Sequence, residues 1–395
     1  MPWKELLVSE ARAQFILACK EKMEPFAAIC RRFGISRKSG YKWAQRARAG
    51  GVKALEDASR RPPQRGKMHP AFWRRRLRQE RLARPHWGPK KLRRVLQKAF
   101  PRAKPVPAVS TLARWLLEGN FVAKRPRRAR PGPVLPWRGV QAAQRANQVW
   151  TVDFKGWFRT GDGRRCEPLT VRDLHSRFVL AVVLLPKPSD AAVRQAMRRV
   201  FRRSGLPEVI RVDNGAPFGG KGALGLSRLS VWWLRLGIAV EFTRPAPPQD
   251  NGGHEQMHRV LKADTATPPA PSLRAQGRRI AAWLACYNQE RPHEALGQQV
   301  PAHFYRPSRR RFPLHLKGAK YPQAWPRRRV RNRGHIKWEG RQRFVGRAFV
   351  GELVGLKKMS DGSHEIYLQG HLLGLLYRED LAGMRPASVA RHPCS

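Results

Sequence analysis

The sequence predicts a multidomain chain with three kinds of structure: all-α modules at the N-terminus, a central α/β core on a mixed sheet, and a small β-barrel at the C-terminus. Three observations carry this. Short, strongly basic helical stretches fill the first third of the chain. From residue 146, β-branched and aromatic runs alternate with helical ones. After residue 325 the chain becomes a series of short β runs broken by Gly and Asp-Gly turns. Three clusters punctuate it, Arg60 to Gly66, Ala123 to Pro133 and Tyr305 to Arg311. Pro and like charge both resist compact packing, so these read as linkers. The expected organisation is a helical module over 1–58, a second over 66–123, an Arg/Pro-rich linker over 124–145, the α/β core over 146–306 and the barrel over 325–385.

In the first module Ala11 to Lys22 reads as a helix with Phe15, Ile16 and Ala18 on one side. A second helix follows Pro25 and ends at Gly34, which suits a left-handed cap, and Ser36 is placed to N-cap a third. Ile29, Phe33, Ile35, Tyr41 and Trp43 supply its apolar set. Arg37, Lys38 and Lys42 decorate the last helix, giving the pattern of a helix-turn-helix. The second module repeats the idea. Phe72 to Ala83 is a basic helix, another starts near Pro89 with Lys90 and Lys91, and a third runs from a serine cap at Ser110 to Gly119 with Arg114 on it.

The core opens with a strand, Gln148 to Phe154, and two more, Glu167 to Asp173 and Arg177 to Leu185, joined by short turns as an antiparallel meander. Ser189 caps a helix from Asp190 to Arg203. Pro207 to Asp213 is a buried strand, Ser227 to Leu236 a helix, Ile238 to Thr243 a strand. A long helix opens at Asp250 and passes through Glu255, and another spans Ser272 to Asn288.

The charge points to a partner. With 80 Lys+Arg against 27 Asp+Glu the net charge is +53, and residues 1–145 alone hold 37 basic and 8 acidic side chains. Such a field holds polyanions, and each phosphate it neutralises releases counterions, so nucleic acid is the expected partner. A GC-rich genome gives the same Arg excess without that partner. The 41% hydrophobic content, with 13 Trp and 16 Phe, excludes a disordered basic tail. The longest apolar run, Phe178 to Leu185, is too short to cross a bilayer, so no membrane partner is expected. The start, Met1-Pro-Trp-Lys-Glu, lacks a signal peptide's apolar core. Five Cys form no C-x-x-C pair and no Cys/His cluster with zinc spacing, so a reducing, cytoplasmic, nucleoid-associated setting is expected.

Three carboxylates stand out by position. Asp153 lies in an otherwise apolar strand, Asp213 ends a strand, and Glu255 begins a helix directly after a Gly pair. Acids converging on one sheet end can hold divalent metals that clamp the attacking and leaving oxygens of a phosphodiester. Spacing alone leaves structural roles open, as turn or N-cap carboxylates.

The motifs add a resemblance. Trp150-Thr-Val-Asp153-Phe-Lys-Gly, Arg211-Val-Asp213-Asn-Gly-Ala-Pro-Phe, Pro248-Gln-Asp-Asn-Gly-Gly-His-Glu255-Gln-Met-His-Arg-Val-Leu-Lys262 and Tyr287-Asn-Gln-Glu-Arg-Pro-His-Glu-Ala-Leu stand in the order found in the DDE superfamily. The chain thus resembles insertion-sequence transposases with a retroviral-integrase-like core. The resemblance implies an RNase H-like fold over 146–306, with Asp153, Asp213 and Glu255 as catalytic residues and metal ligands for two Mg²⁺ (or Mn²⁺) ions. Many members keep a shorter interval before the Glu; here 41 residues separate it from Asp213, which makes Asp250, with 36 intervening, a rival third ligand. The extra length is expected in Gly219 to Leu229.

The resemblance further implies double-stranded DNA, both element ends and target, as partner, with the protein acting as a homo-oligomer. The expected DNA contacts are Arg37, Lys38, Lys42, Lys90, Lys91, Arg114, Arg125, Arg127, Arg128, Arg259 and Lys262. The last two share a helix face with Glu255 at i+4 and i+7, which equally fits an ordinary Glu–Arg surface pair. Asp173 is expected to be a turn residue. Asn214 and Gly215 are expected to shape the turn after Asp213, and Asn288, Arg291, Pro292 and His293 to pack or touch DNA. The tail is expected to be an SH3-like DNA-binding or multimer-contact domain. The implied function is a DNA transposase that binds terminal inverted repeats and catalyses metal-dependent 3′-end cleavage and strand transfer. The rivals are a catalytically silent, domesticated DNA-binding regulator and a metal-dependent nuclease that does not join.

Overall fold

The computed structural model describes residues 8–57, 71–101, 105–122, 143–220, 222–243, 252–316 and 318–387. The chain divides into two compact units, Met1–His69 and Pro70–Ser395.

The first unit is three helices, α1 (Val8–Glu21), α2 (Phe26–Arg32) and α3 (Arg37–Gly50), followed by a short 3-10 turn. Gly34 has φ 64° between α2 and α3. The Ser36 hydroxyl then accepts from the Ser39 N–H at 3.2 Å, satisfying one of the helix's free donors. Phe15, Ile29 and Cys30 form the core. Gly40 lets α3 come close, because a Cβ there would stand 2.6 Å from the Cys30 sulfur. Tyr41, expected in the apolar set, is largely exposed; only its face is used, stacked on Phe26 at 4.4 Å between centroids.

The second unit begins with α4 (Ala71–Ala83), α5 (Pro89–Ala99) and α6 (Val109–Glu118) around Trp73, Leu77, Trp87, Leu92, Leu96, Leu112, Trp115 and Leu116. The expected serine cap of α6 is not there. The helix starts two residues sooner with Ala108 as its cap, placing Ser110 inside the first turn. The chain enters through Pro107, whose carbonyl accepts from Arg93 Nε at 3.0 Å, and that anchor sets the earlier start.

The central sheet contains β1 (Val149–Phe154), β2 (Phe158–Arg159), β3 (Arg165–Asp173), β4 (Val179–Leu185), β5 (Val209–Val212) and β6 (Ala239–Phe242). β3 pairs antiparallel with β1, β2 and β4, while β5 lies parallel to both β1 and β6. This is the expected mixed sheet. Helices α7 (Asp190–Ser204) and α8 (Arg228–Arg235) cover one face, α9 (Gly252–Thr265) and α10 (Leu273–Gln289) the other. Alternation along β1 sends Trp150 and Val152 to the first face and Thr151 and Asp153 to the second. Their partners across the ladder, Arg172 and Thr170, share that second face. The helical module rests on α9 and α10 through His86–Asp264 at 2.5 Å and Arg84–Glu290 at 3.2 Å.

After the short helix α11 (Pro301–Phe304), the tail holds β7 (Arg327–Arg329), β8 (His335–Trp338), β9 (Arg341–Phe344), β10 (Leu353–Lys358), β11 (His364–Leu368), β12 (His371–Leu376) and β13 (Arg385–Pro386). They form a five-stranded antiparallel sheet, β13-β12-β11-β10-β7, and a β8–β9 hairpin. The expected barrel is left open. Val231 and Leu234 of α8 and Ala223 and Leu226 of the loop before it join the strands' apolar core, so part of the wall comes from elsewhere in the chain. The stretch expected to hold the extra length between Asp213 and Glu255 is thus where the tail is seated. An ion pair between Arg235 and Glu352 flanks that contact.

Candidate functional site

Asp153 sits at the end of β1 on the sheet face beneath α9, and its Oδ1 accepts from the Phe154 N–H at 2.7 Å. Asp213 follows the last residue of β5, exposed, its Oδ1 accepting from the Gly215 N–H at 3.3 Å. The turn beyond is held by Asn214, which donates to the Thr243 carbonyl at 2.7 Å. Glu255 lies exposed in the first turn of α9.

Electrostatics tie the three together. Burial raises the Asp153 carboxyl, the charge of Asp213 raises it further and that of Glu255 adds to both, taking it to about 7 against the Phe154 hydrogen bond and Lys155. Asp213, whose carboxyl is partly desolvated at the strand end although the residue is exposed, is also raised, against its bond from Gly215. Lys155 is lowered by burial and by the neighbouring Lys262 of α9. Asp153, raised by the charges of two neighbouring carboxylates, centres a donor set suited to a divalent cation: oxygen ligands with excess negative charge.

A pair of histidines completes the surroundings. His254 is fully buried, its Nδ1 2.7 Å from Thr151 Oγ1 and its Nε2 2.6 Å from Thr170 Oγ1. His258 Nε2 lies 2.8 Å from the same Thr170 hydroxyl, which itself donates to the Asp153 carbonyl at 2.9 Å. Thr170 therefore accepts from both rings, and His258 turns its bare Nδ1 towards Asp153 Oδ2, 3.9 Å away. That approach is no ion pair: burial, Lys155 and Arg172 push His258 down to about 3, so its ring is neutral. His254, lowered by burial and by His258, is neutral too. Ligand atoms of Asp153, His254 and His258 lie within 4.8 Å of one another. With both ring nitrogens of His254 engaged, only the Nδ1 of His258 is left to face an ion. The sequence reading missed His254; the only trace it left was the i, i+4 spacing of two histidines on one helix face.

The other expected residues scatter. Arg37, Lys38 and Lys42 are exposed along α3. Lys90 is ion-paired with Glu294, and Arg114 stands 3.6 Å from Glu118. Lys91 is half-buried, whereas Arg259 and Lys262 are exposed on α9. Arg125, Arg127, Arg128 and the rival acid Asp250 lie outside the described residues. Asp173 holds a turn: its carboxylate accepts from the N–H groups of Asn147 and Ser176, each at 2.7 Å. Asn288 clamps both backbone polar groups of Val179 at 2.9 Å.

Parts of the chain match known families and proteins. Integrase core domain models match residues 143–248 and 236–301, a helix-turn-helix domain matches 11–63, and the C-terminal domain of IS481 family transposases matches 327–379. An uncharacterized 31.7 kDa protein of insertion element IS407 from Burkholderia multivorans is 28% identical over 184 residues, 46% of this chain and 64% of that protein. An uncharacterized 39.2 kDa protein of insertion element IS476 from Xanthomonas euvesicatoria is 26% identical over 226 residues, 56% of this chain and 62% of its own length. The chain thus spans a little under two thirds of each of these relatives. Among solved structures, the magnesium-bound catalytic core of the HTLV-2 integrase aligns over 42% of this chain and 100% of its own, at 15% identity and a TM-score of 0.34.

Proposed function

We propose that this chain, which matches integrase core domain models and the C-terminal domain of IS481 family transposases and is similar to insertion-element proteins, is a DNA transposase that binds the terminal inverted repeats of its element, cleaves their 3′ ends and transfers them into target DNA. One observation carries the chemistry: Asp153, Asp213 and Glu255 come from two strand ends and one helix, yet Asp153 feels the charge of both others. Glu241, by contrast, is paired with Arg211 at 2.9 Å, and Asp173 is held by backbone N–H groups. Asp153 instead faces two further negative charges.

Asp153, Asp213 and Glu255 would hold two Mg²⁺ or Mn²⁺ ions, and bound metal would lower the pKa of the attacking hydroxyl and stabilise charge on the phosphodiester. The chain's own residues do the rest. Phe154 and Gly215 orient two of the carboxylates through their N–H groups. Neutral His258, anchored by Thr170, packs against Asp153 without adding charge. Lys155 and Lys262 place two ammonium groups beside the acids, where a phosphate strand would run. The exposed face of α3, with Arg37, Lys38 and Lys42, would read the element ends, and the Arg-rich stretch holding Arg125, Arg127 and Arg128 would grip backbone phosphates. Homo-oligomers on DNA and a cytoplasmic, nucleoid-associated setting complete the reading. Among the described residues no helix is long and apolar enough to cross a membrane.

The test is a joining reaction with a pre-nicked duplex carrying the DNA that borders the reading frame, in Mg²⁺. Covalent joining to target DNA supports transposition. Cleavage without joining favours a nuclease, and binding with neither favours a silent regulator.

A further inference from the structure

Beside the acids, at the start of α9, lies a cavity of about 360 Å³ lined by Lys91, Arg172, Arg177, Arg291 and His293, with the glycines of α9's first turn at its edge. Four lining side chains are cations. Among the described residues the one acid on the lining, Glu294, is ion-paired with Lys90. Arg172 is the telling residue. It stands on the sheet face beneath α9 and is only 3% exposed, yet among the described residues its Nε and Nη1 have no hydrogen-bond partner. Arg291, 7% exposed, leaves Nη1 unpartnered, and the buried Nε2 of His293 is likewise unmatched.

Burying a guanidinium with free N–H groups costs several kcal/mol unless something pairs with it. A core built for stability alone would replace Arg172 with an apolar side chain. The cavity's own cations register the missing counter-charge. Lys91 is lowered by burial and then by Arg291, and His293 falls to about 3 through burial, Arg291 and Lys91. Backbone geometry keeps the place open: a Cβ on Gly253 would stand 3.0 Å from Arg177 Nη1 and 3.1 Å from Arg172 Nη1. Gly252, Gly253 and His254, the opening residues of a 14-residue helix, line the same space.

We infer that this cavity binds a phosphoryl group, and that its source is a backbone phosphate of the DNA strand on which Asp153, Asp213 and Glu255 act. The inference rests on the transposase reading and sharpens it. Gly253 lies two residues before Glu255, so a phosphate seated on Arg172 and Arg177 fixes the helix turn that carries the third acid. The volume admits a phosphate with its sugar, and planar guanidinium groups suit phosphate oxygens in bidentate fashion.

The test uses the full chain without divalent metal, so that failure of the cleavage chemistry leaves the readout intact. Binding is measured by anisotropy at fixed ionic strength, on a series of duplexes of the bordering DNA, each carrying one uncharged methylphosphonate linkage. One linkage is expected to weaken the wild type at least tenfold. Arg172→Met is expected to bind the unmodified duplex at least tenfold more weakly and to ignore that same linkage. Its melting temperature should equal or exceed the wild type's, which separates lost binding from lost folding. Gly253→Ala, which fills the cavity without removing a charge, should reproduce the weakening. Equal affinity of Arg172→Met and wild type, or additive losses from variant and linkage, overturns the inference. Indifference of the wild type to every linkage, with inorganic pyrophosphate raising its melting temperature but not that of Arg172→Met, overturns DNA as the source and leaves a free-phosphate site.

Discussion

Replacing Asp153 by Asn should stabilise the metal-free protein in a way that depends on pH. The carboxyl is raised from 3.8 to about 7 by burial and by the charges of Asp213 and Glu255. A raised value means the folded chain holds the proton more tightly than the unfolded one. Stability therefore falls as pH rises from about 4 to about 7 and stays lowered above that. The gap corresponds to about 4 kcal/mol, as an upper figure. Asn has no charge to lose and keeps an oxygen to accept from Phe154. The Asn variant should match the wild type near pH 4 and exceed it by up to about 4 kcal/mol at pH 8. Urea unfolding in EDTA at the two pH values, following the core transition, reads this directly. Millimolar Mg²⁺ should then recover most of the difference for the wild type and do nothing for the variant. A difference of the same size at both pH values, or a variant less stable than wild type at pH 8, would refute the account of why these acids lie together.

Other outcomes follow from the same geometry. Asp213→Asn and Glu255→Gln should each abolish joining while leaving duplex affinity in EDTA within a factor of about two, since neither acid donates to phosphate. Leu234→Ala, in α8 but within the tail's apolar core, should destabilise that core by about 2–4 kcal/mol, seen as faster hydrogen exchange in β10 to β12. Gly40→Ala should disrupt the first unit, because its Cβ meets the Cys30 sulfur at 2.6 Å; end-specific binding should fall while non-specific, salt-sensitive binding persists. Ser36→Ala should cost that unit about 1 kcal/mol through loss of the cap on Ser39, measured by its melting.

Much of the fold was legible because its signals are local. Ser36 and Ser189 each cap the helix their position announces. Carboxylates ending apolar runs marked Asp153 and Asp213 before any geometry was known. What sequence did not reveal depends on contacts between distant segments. Thr151, Thr170, His254 and His258 form one hydrogen-bonded cluster across 84 to 103 residues, and no local pattern records it. Arg172 reads as one polar residue in a strand until the sheet turns it beneath α9. Ser110 failed as a cap because Arg93 fixes the chain one turn away. The barrel was expected to close because hairpin spacing alone does not show that α8 and Leu226 fill its side.

The central claim is that Asp153, Asp213 and Glu255 act together on a DNA end. Its most direct measurement is strand transfer by wild type and Asp153→Asn on a pre-nicked duplex of the bordering DNA, with Mg²⁺, scored as joined product. The account predicts joining by the wild type and none by the variant, with both binding the duplex. Joining by the variant at wild-type rate would contradict it.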